Sequence, residues 1–220
     1  MALWKNAKTV RPSLLGTTVG SKVRCGVCAR RCLIEPGATA WCQTRANHDG
    51  VLVVTIYGAV AALGADPIEK KPLYHFRPGV TVLTAGGLSC NFHCPWCRNI
   101  EFTAGANSPE WYCVDPARFV ETARRMQCQG VALSYNEPVL SLEWATEVFP
   151  IARRAGLATV LVTNGYLTAE AFELLIEAGL EAVNIDVKGN AETLQRWCGG
   201  ASGEQVWNSC RYARRAGLHL

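Results

Sequence analysis

The 220-residue chain is 49% hydrophobic and 18% charged with a net charge of +4, enough apolar material for one core plus a small appendage. The charge excess has no run of Lys or Arg behind it, which argues against nucleic acid as a partner. The most apolar stretches, residues 51–56 and 80–85, are far too short to span a bilayer, which argues against a membrane as well.

Residues 1–20 lack a continuous apolar segment, because Lys5, Asn6, Lys8 and Arg11 interrupt it, so no secretory signal is expected. A cytoplasmic location follows. Eleven cysteines in such a chain point to metal binding or redox chemistry rather than disulfides.

Residues 1–75 read as a Cys-rich N-terminal extension. Cys25, Cys28, Cys32 and Cys42 have the spacing Cys-x2-Cys-x3-Cys-x9-Cys. Four thiolates make a closed, structural site for zinc or for an iron–sulfur cluster; four unligated thiols in a Gly-rich loop are the alternative. Residues 51–57 read as a strand. The segment Asp66-Pro67-Ile68-Glu69-Lys70-Lys71-Pro72 reads as a loop broken by its prolines.

Residues 76–220 form the second part, where β and α units alternate. Strands are predicted at 80–85, 130–134, 158–163 and 181–187, each a short run of Val, Leu, Ile or Ala with little alternation, as expected of strands buried on both faces. Cys90, Cys94 and Cys97 follow the first as Cys-x3-Cys-x2-Cys on a loop rich in Gly, Asn and Pro. Three thiolates on one short loop can hold three corners of an iron–sulfur cluster and leave a fourth open. Zinc, with His93 or a distant Cys as fourth ligand, and plain buried thiols are the other readings.

Helices are predicted at about 115–128, with Asp115 as N-cap and Pro116 at the first position, at about 141–155 with Ser141 as N-cap, and at about 168–178 with Thr168 as N-cap. Ala155-Gly156-Leu157, Ala178-Gly179-Leu180 and Ala216-Gly217-Leu218 share one helix-to-strand junction, with Gly suited to the left-handed position after a helix. Leu218-His219-Leu220 then reads as the start of a fifth strand, cut short. Regular alternation predicts an α/β fold with a parallel sheet and right-handed crossovers.

In a parallel α/β barrel the active site gathers at the C-terminal strand ends. Each strand here ends in polar groups: the Gly86-Gly87 turn and the cysteine loop, then Ser134-Tyr135-Asn136-Glu137-Pro138, then Thr163-Asn164-Gly165, then Asp186-Val187-Lys188. Asp186 and Lys188, two apart on a strand, share a face and can pair with each other as well as meet a ligand. Cys113, Cys128, Cys198 and Cys210 show no recognisable spacing and read as ordinary small residues, Cys128 near the end of a helix.

The cysteine triplet with Trp96 before its last member resembles the radical S-adenosylmethionine (SAM) superfamily. Residues 66–76, with Tyr135-Asn136-Glu137-Pro138 and Thr163-Asn164-Gly165, resemble the AmmeMemoRadiSam-system radical SAM enzymes, relatives of pyruvate formate-lyase activating enzyme. The resemblance runs from Cys25 to the chain end. It implies an oxidoreductase similar to [formate-C-acetyltransferase]-activating enzyme, with a [4Fe–4S] cluster on Cys90, Cys94 and Cys97. SAM would chelate the open iron and be cleaved reductively to a 5′-deoxyadenosyl radical that abstracts hydrogen from a substrate, such as a protein. It also implies an electron donor such as a flavodoxin or ferredoxin.

The SAM contacts it implies are the backbone near Trp96 for the adenine, Asn136 and Glu137 for the ammonium and Lys188 for the carboxylate. Thr163, Asn164 and Asp186 would meet the ribose and sulfonium. Val162 stands where the activating enzymes commonly have Asp before Thr-Asn-Gly, which removes that group from any cation site. The implied fold is a partial (β/α) TIM-type barrel, truncated after about four β-α units where the family has about six. A non-catalytic zinc-binding module or an inactive truncated fragment is the competing expectation.

Overall fold

The computed structural model describes residues 8–103 and 110–220. The N-terminal part consists of short antiparallel strands: β1 (Arg11–Pro12), β2 (Gly16–Val19), β3 (Lys22–Cys25), β4 (Leu33–Ile34), β5 (Arg45–His48) and β6 (Val51–Val54). They make two small sheets, β2-β3-β4 and β1-β6-β5. The strand predicted at 51–57 thus stops at Val54; Thr55 instead bonds Thr44 and Tyr57 bonds Thr9 through single backbone hydrogen bonds.

Two strands follow, β7 (Ala59–Val60) and β8 (Ala62–Pro67), then a 3-10 turn over Ile68–Lys70. Asp66 and Pro67, read from sequence as loop, end a strand instead. Pro67 is tolerated because it is the last residue of an edge strand. Its partner is β9 (Thr81–Gly86), antiparallel from Ala62↔Gly86 to Pro67↔Thr81.

The remaining elements are α1 (Ile100–Thr103), β10 (Tyr112–Cys113), α2 (Pro116–Arg125), β11 (Gly130–Leu133), α3 (Leu142–Arg154), β12 (Ala158–Thr163), α4 (Ala169–Glu177), β13 (Ala182–Ile185), α5 (Ala191–Trp197) and α6 (Gly203–Arg215). The central sheet has the order β13-β12-β11-β9-β8. Its first four members are parallel, joined by crossover helices, and β8 is an antiparallel edge. At the far edge His219 adds one parallel bridge to Ala182, so the strand start predicted at 218–220 lies where a fifth parallel strand would pair. No helix among the described residues is long and apolar enough to cross a membrane.

The predicted helix starts follow local chemistry. Asp115 accepts from the N–H groups of Ala117 and Arg118, and Thr168 from that of Ala171, each cap stabilising by about 1 kcal/mol. Ser141 differs: its side chain makes no cap bond, because the chain already turns in a 3-10 helix over Pro138–Ser141, capped by Glu137. The helix predicted at about 115–128 ends at Arg125, so Cys128 lies, itself buried, in the turn beyond it.

Strand alternation separates two apolar layers. Leu83, Ala85, Val131, Leu133, Leu161 and Val183 pack toward the helices with Phe119, Phe149 and Phe172. Val82, Ala132, Val160 and Ala182 point the other way and meet Ile68 and Leu73, so the segment after β8 covers the lower half of that face. The upper half, at the C-terminal strand ends, stays open.

Candidate functional site

Above those strand ends lies a cleft of about 490 Å³ lined by Cys90, Cys94, Cys97 and the predicted polar residues of the other strands. The three thiols lie within electrostatic reach of one another. Among the described residues no three His, Cys, Asp or Glu side chains converge closely enough to share one metal ion. A zinc ion draws every thiolate to about 2.3 Å from a single point. A [4Fe–4S] cluster takes one thiolate per iron and leaves one iron open when three are supplied, and three thiols on one loop lining a cleft suit that donor set.

Burial, and then the Glu137 carboxylate, push the Cys90 thiol up to about 12. Burial, and then the contact with Cys198, do the same for Cys94, to about 12. Burial thus disfavours both thiolates, and loading this loop with a metal releases protons.

A buried network fixes the loop from below. Glu137 is 1% exposed. Its Oε1 accepts from the Thr163 hydroxyl at 2.8 Å and the Val139 N–H at 3.1 Å, and its Oε2 from the Asn164 N–H at 2.8 Å. Burial raises its pKa, and these three donors act against that rise. Asn164 donates to Asn91 Oδ1 at 2.7 Å and reaches Cys90 Sγ at 3.7 Å. Asn136 accepts from the Gly87 N–H and donates to the Leu88 and Ser89 carbonyls. Asn136, Glu137, Thr163 and Asn164 therefore spend most of their hydrogen-bonding capacity on the cysteine loop and on each other.

The residues with more freedom stand at the rim. Trp96 is half exposed. Lys188 pairs with Asp186, two residues before it, at the cleft rim. Burial pulls the Lys188 ammonium down, but the Asp186 carboxylate and the Cys94 and Cys90 thiols outweigh it, so the net shift is upward.

Tyr135 sits in the left-handed region with φ of 72°, uncommon for a bulky residue and worth about 1–3 kcal/mol of strain. That twist lays its ring over β9 and β8. A Cβ on Gly86 would meet the ring at 2.7 Å, so only glycine fits there. The Tyr135 carbonyl accepts from Asn99, which ties the far end of the cysteine loop to β11.

The N-terminal cysteines gather under the same loop. Cys25 lies within electrostatic reach of Cys42 and Cys32, and Cys28 of Cys42 and Cys25. Cys25, Cys28 and Cys42 are buried. Their turn touches the cysteine loop directly: Ser89 donates to the Cys42 carbonyl at 2.7 Å, and Trp41 stacks on His93 with ring centroids 4.9 Å apart.

Sequence reasoning missed Arg30, Asn91 and Cys198. Arg30 Nε donates to the Asn91 carbonyl at 2.8 Å, and its Nη2 to the carbonyls of Gly199 at 2.8 Å and Cys198 at 3.4 Å. Its position between Cys28 and Cys32 was the available signal. Cys198 Sγ lies 3.5 Å from Cys94 Sγ although 104 residues separate them, a proximity no spacing rule reports.

A family profile described as the radical SAM superfamily matches residues 86–220. The chain is 38% identical over 201 residues to the uncharacterized protein MJ0808 of Methanocaldococcus jannaschii, which covers 90% of this chain and 59% of that protein. It is 29% identical over 125 residues to a GTP 3',8-cyclase of Klebsiella pneumoniae subsp. pneumoniae, covering 56% of this chain and 36% of the relative. The chain thus spans less than two thirds of the length of either. Among solved structures, QueE from Escherichia coli superposes with a TM-score of 0.42 at 11% identity, over 69% of this chain and 66% of that one.

Proposed function

This chain belongs to the radical SAM superfamily, and on that premise we propose that it binds a [4Fe–4S] cluster through Cys90, Cys94 and Cys97 and SAM in the cleft above β9, β11, β12 and β13. The observation that carries the reading is the single cleft that receives the cysteine triplet together with the polar ends of all three neighbouring parallel strands. When bound, the cluster and SAM supply reductive cleavage of the sulfonium to a 5′-deoxyadenosyl radical that abstracts hydrogen from a substrate.

The chain's own residues have two tasks in this proposal. Asn136, Glu137, Thr163 and Asn164 hold the cysteine loop and line the polar side of the SAM site. Lys188 offers a cation to the SAM carboxylate and Asp186 a carboxylate to a hydroxyl or the sulfonium, once their mutual pair opens. Trp96 shields the cluster and brings its backbone to the adenine.

The activating-enzyme type, with a protein substrate, a flavodoxin or ferredoxin as reductant, a cytoplasmic location and a barrel-like sheet, is the finer form of the proposal; it is supported by residues 66–76 and by Thr163-Asn164-Gly165. The division at residue 75 and a structural metal site on Cys25, Cys28, Cys32 and Cys42 belong to it too.

The test is anaerobic reconstitution, reduction and addition of SAM, with 5′-deoxyadenosine as the product sought. Iron, sulfide and 5′-deoxyadenosine in the wild type, all reduced in Cys94→Ala, are expected. Zinc without iron or sulfide, with Cys94→Ala losing stability only, would establish the non-catalytic metal module.

A further inference from the structure

Cys198 caps the C-terminal end of α5 and is fully buried. Its Sγ lies 3.5 Å from that of Cys94. Phe92, Tyr166, Leu194, Ala201 and Val206 enclose the two thiols in one apolar cluster. The approach is held from both sides. Arg30 bonds the cysteine loop through the Asn91 carbonyl and the Cys198 turn through the Gly199 and Cys198 carbonyls. Gly199 and Gly200 take left-handed conformations with φ of 70° and 75°. A Cβ on Gly199 would meet Arg30 Nη2 at 2.8 Å and press on the guanidinium, and the left-handed φ there also favours glycine.

We propose that Cys94 and Cys198 form a redox latch: in the cluster-free protein they close a disulfide that withholds one cluster ligand, and reduction of that disulfide restores it. The latch's role rests on the cluster reading above; the disulfide itself does not. A disulfide needs sulfurs about 2 Å apart, so closing the observed gap takes a movement of about 1.5 Å. Cys94 is the less buried of the two and meets the oxidant first.

With a small-molecule disulfide R–S–S–R as oxidant, the Cys94 thiolate attacks one sulfur, the R–S–S–R bond breaks and R–S–H leaves. Cys198, as thiolate, then attacks Cys94 Sγ and releases the second R–S–H. Two protein thiols are oxidised to one disulfide and one R–S–S–R is reduced to two R–S–H. A dithiol reverses both steps.

The test uses the full chain, purified without cluster and incubated anaerobically with oxidised glutathione. Free thiols are then alkylated and the protein is digested without reductant for mass spectrometry. The expected dominant cross-link joins the Cys94 and Cys198 peptides, with loss of two alkylatable thiols. Iron and sulfide uptake should be lost in this oxidised protein, return with dithiothreitol, and persist in oxidant-treated Cys198→Ser.

Cys94 cross-linked mainly to Cys90 or Cys97, or left fully alkylatable, overturns the latch; this readout needs no variant. Cluster uptake by protein carrying the mapped disulfide, without reductant, overturns its role. Reduced protein that takes up no iron at all overturns the cluster reading, while the mapped disulfide would stand.

Discussion

Glu137 accepts the backbone N–H of Asn164 at 2.8 Å, which fastens the end of β11 to the end of β12 directly beneath the cysteine loop. The same carboxylate takes the Thr163 hydroxyl and the Val139 N–H, and Asn164 passes the constraint on to Asn91. One buried anion thereby sets the relative positions of two strand ends and the loop they support.

Glu137→Gln should therefore lower stability by roughly 2–3 kcal/mol, because an amide NH2 must face at least one N–H or O–H donor that now has an acceptor. Urea unfolding gives the stability. Anaerobic iron retention reports the loop, and it should fall in the variant even at denaturant-free equilibrium.

Arg30 makes the corresponding bond from the N-terminal side. Arg30→Ala should cost about 2 kcal/mol through three lost charge-assisted contacts to carbonyls. Hydrogen exchange resolves the location: protection should drop at residues 198–201 and in the cysteine loop, and stay unchanged in α2 and α3.

Arg45 and Glu143 form a buried ion pair at 2.8 Å, with side chains 1% and 6% exposed, between β5 and α3. Glu143 Oε1 also accepts from Ser13. Removing one partner strands a buried charge, so Arg45→Ala or Glu143→Ala should each destabilise by about 3–5 kcal/mol. An Arg45→Met/Glu143→Leu double variant should recover most of that loss in thermal unfolding, because neither charge is then left alone.

Lys71 carries a 4%-exposed side chain whose ammonium has Asp66 at 3.9 Å and the Tyr135 ring at 4.8 Å. Burial lowers its pKa below the usual 10.5, with Asp66 acting in the opposite direction. In the window between that lowered value and 10.5 the unfolded chain binds more protons, so wild-type stability rises with pH there. Lys71→Met should be the more stable protein at neutral pH by on the order of 1 kcal/mol, and the gap should shrink toward pH 10. Urea midpoints at the two pH values measure it.

The parallel strands and their helices were legible because each signal was local: apolar runs for the strands, Asp115 and Thr168 as caps, Ala-Gly-Leu junctions at the ends. The edge strand Ala62–Pro67 was not, because its Asp66-Pro67 end masked pairing that depends on a partner, β9, in the next segment. The site was legible as a set of strand-end motifs. Its internal wiring was not: nothing in the sequence says that Asn136, Glu137, Thr163 and Asn164 bond one another and the loop, or that Cys198 meets Cys94. Those relations depend on packing between elements far apart in the chain, where spacing rules have no reach.

The central claim is that Cys90, Cys94 and Cys97 hold a cluster with one iron open to SAM, and electron paramagnetic resonance tests it most directly. The anaerobically reconstituted, reduced protein should show a [4Fe–4S]⁺ signal that shifts when SAM is added and disappears in Cys94→Ser. A full cluster signal that ignores SAM, or one that survives Cys94→Ser unchanged, would contradict it.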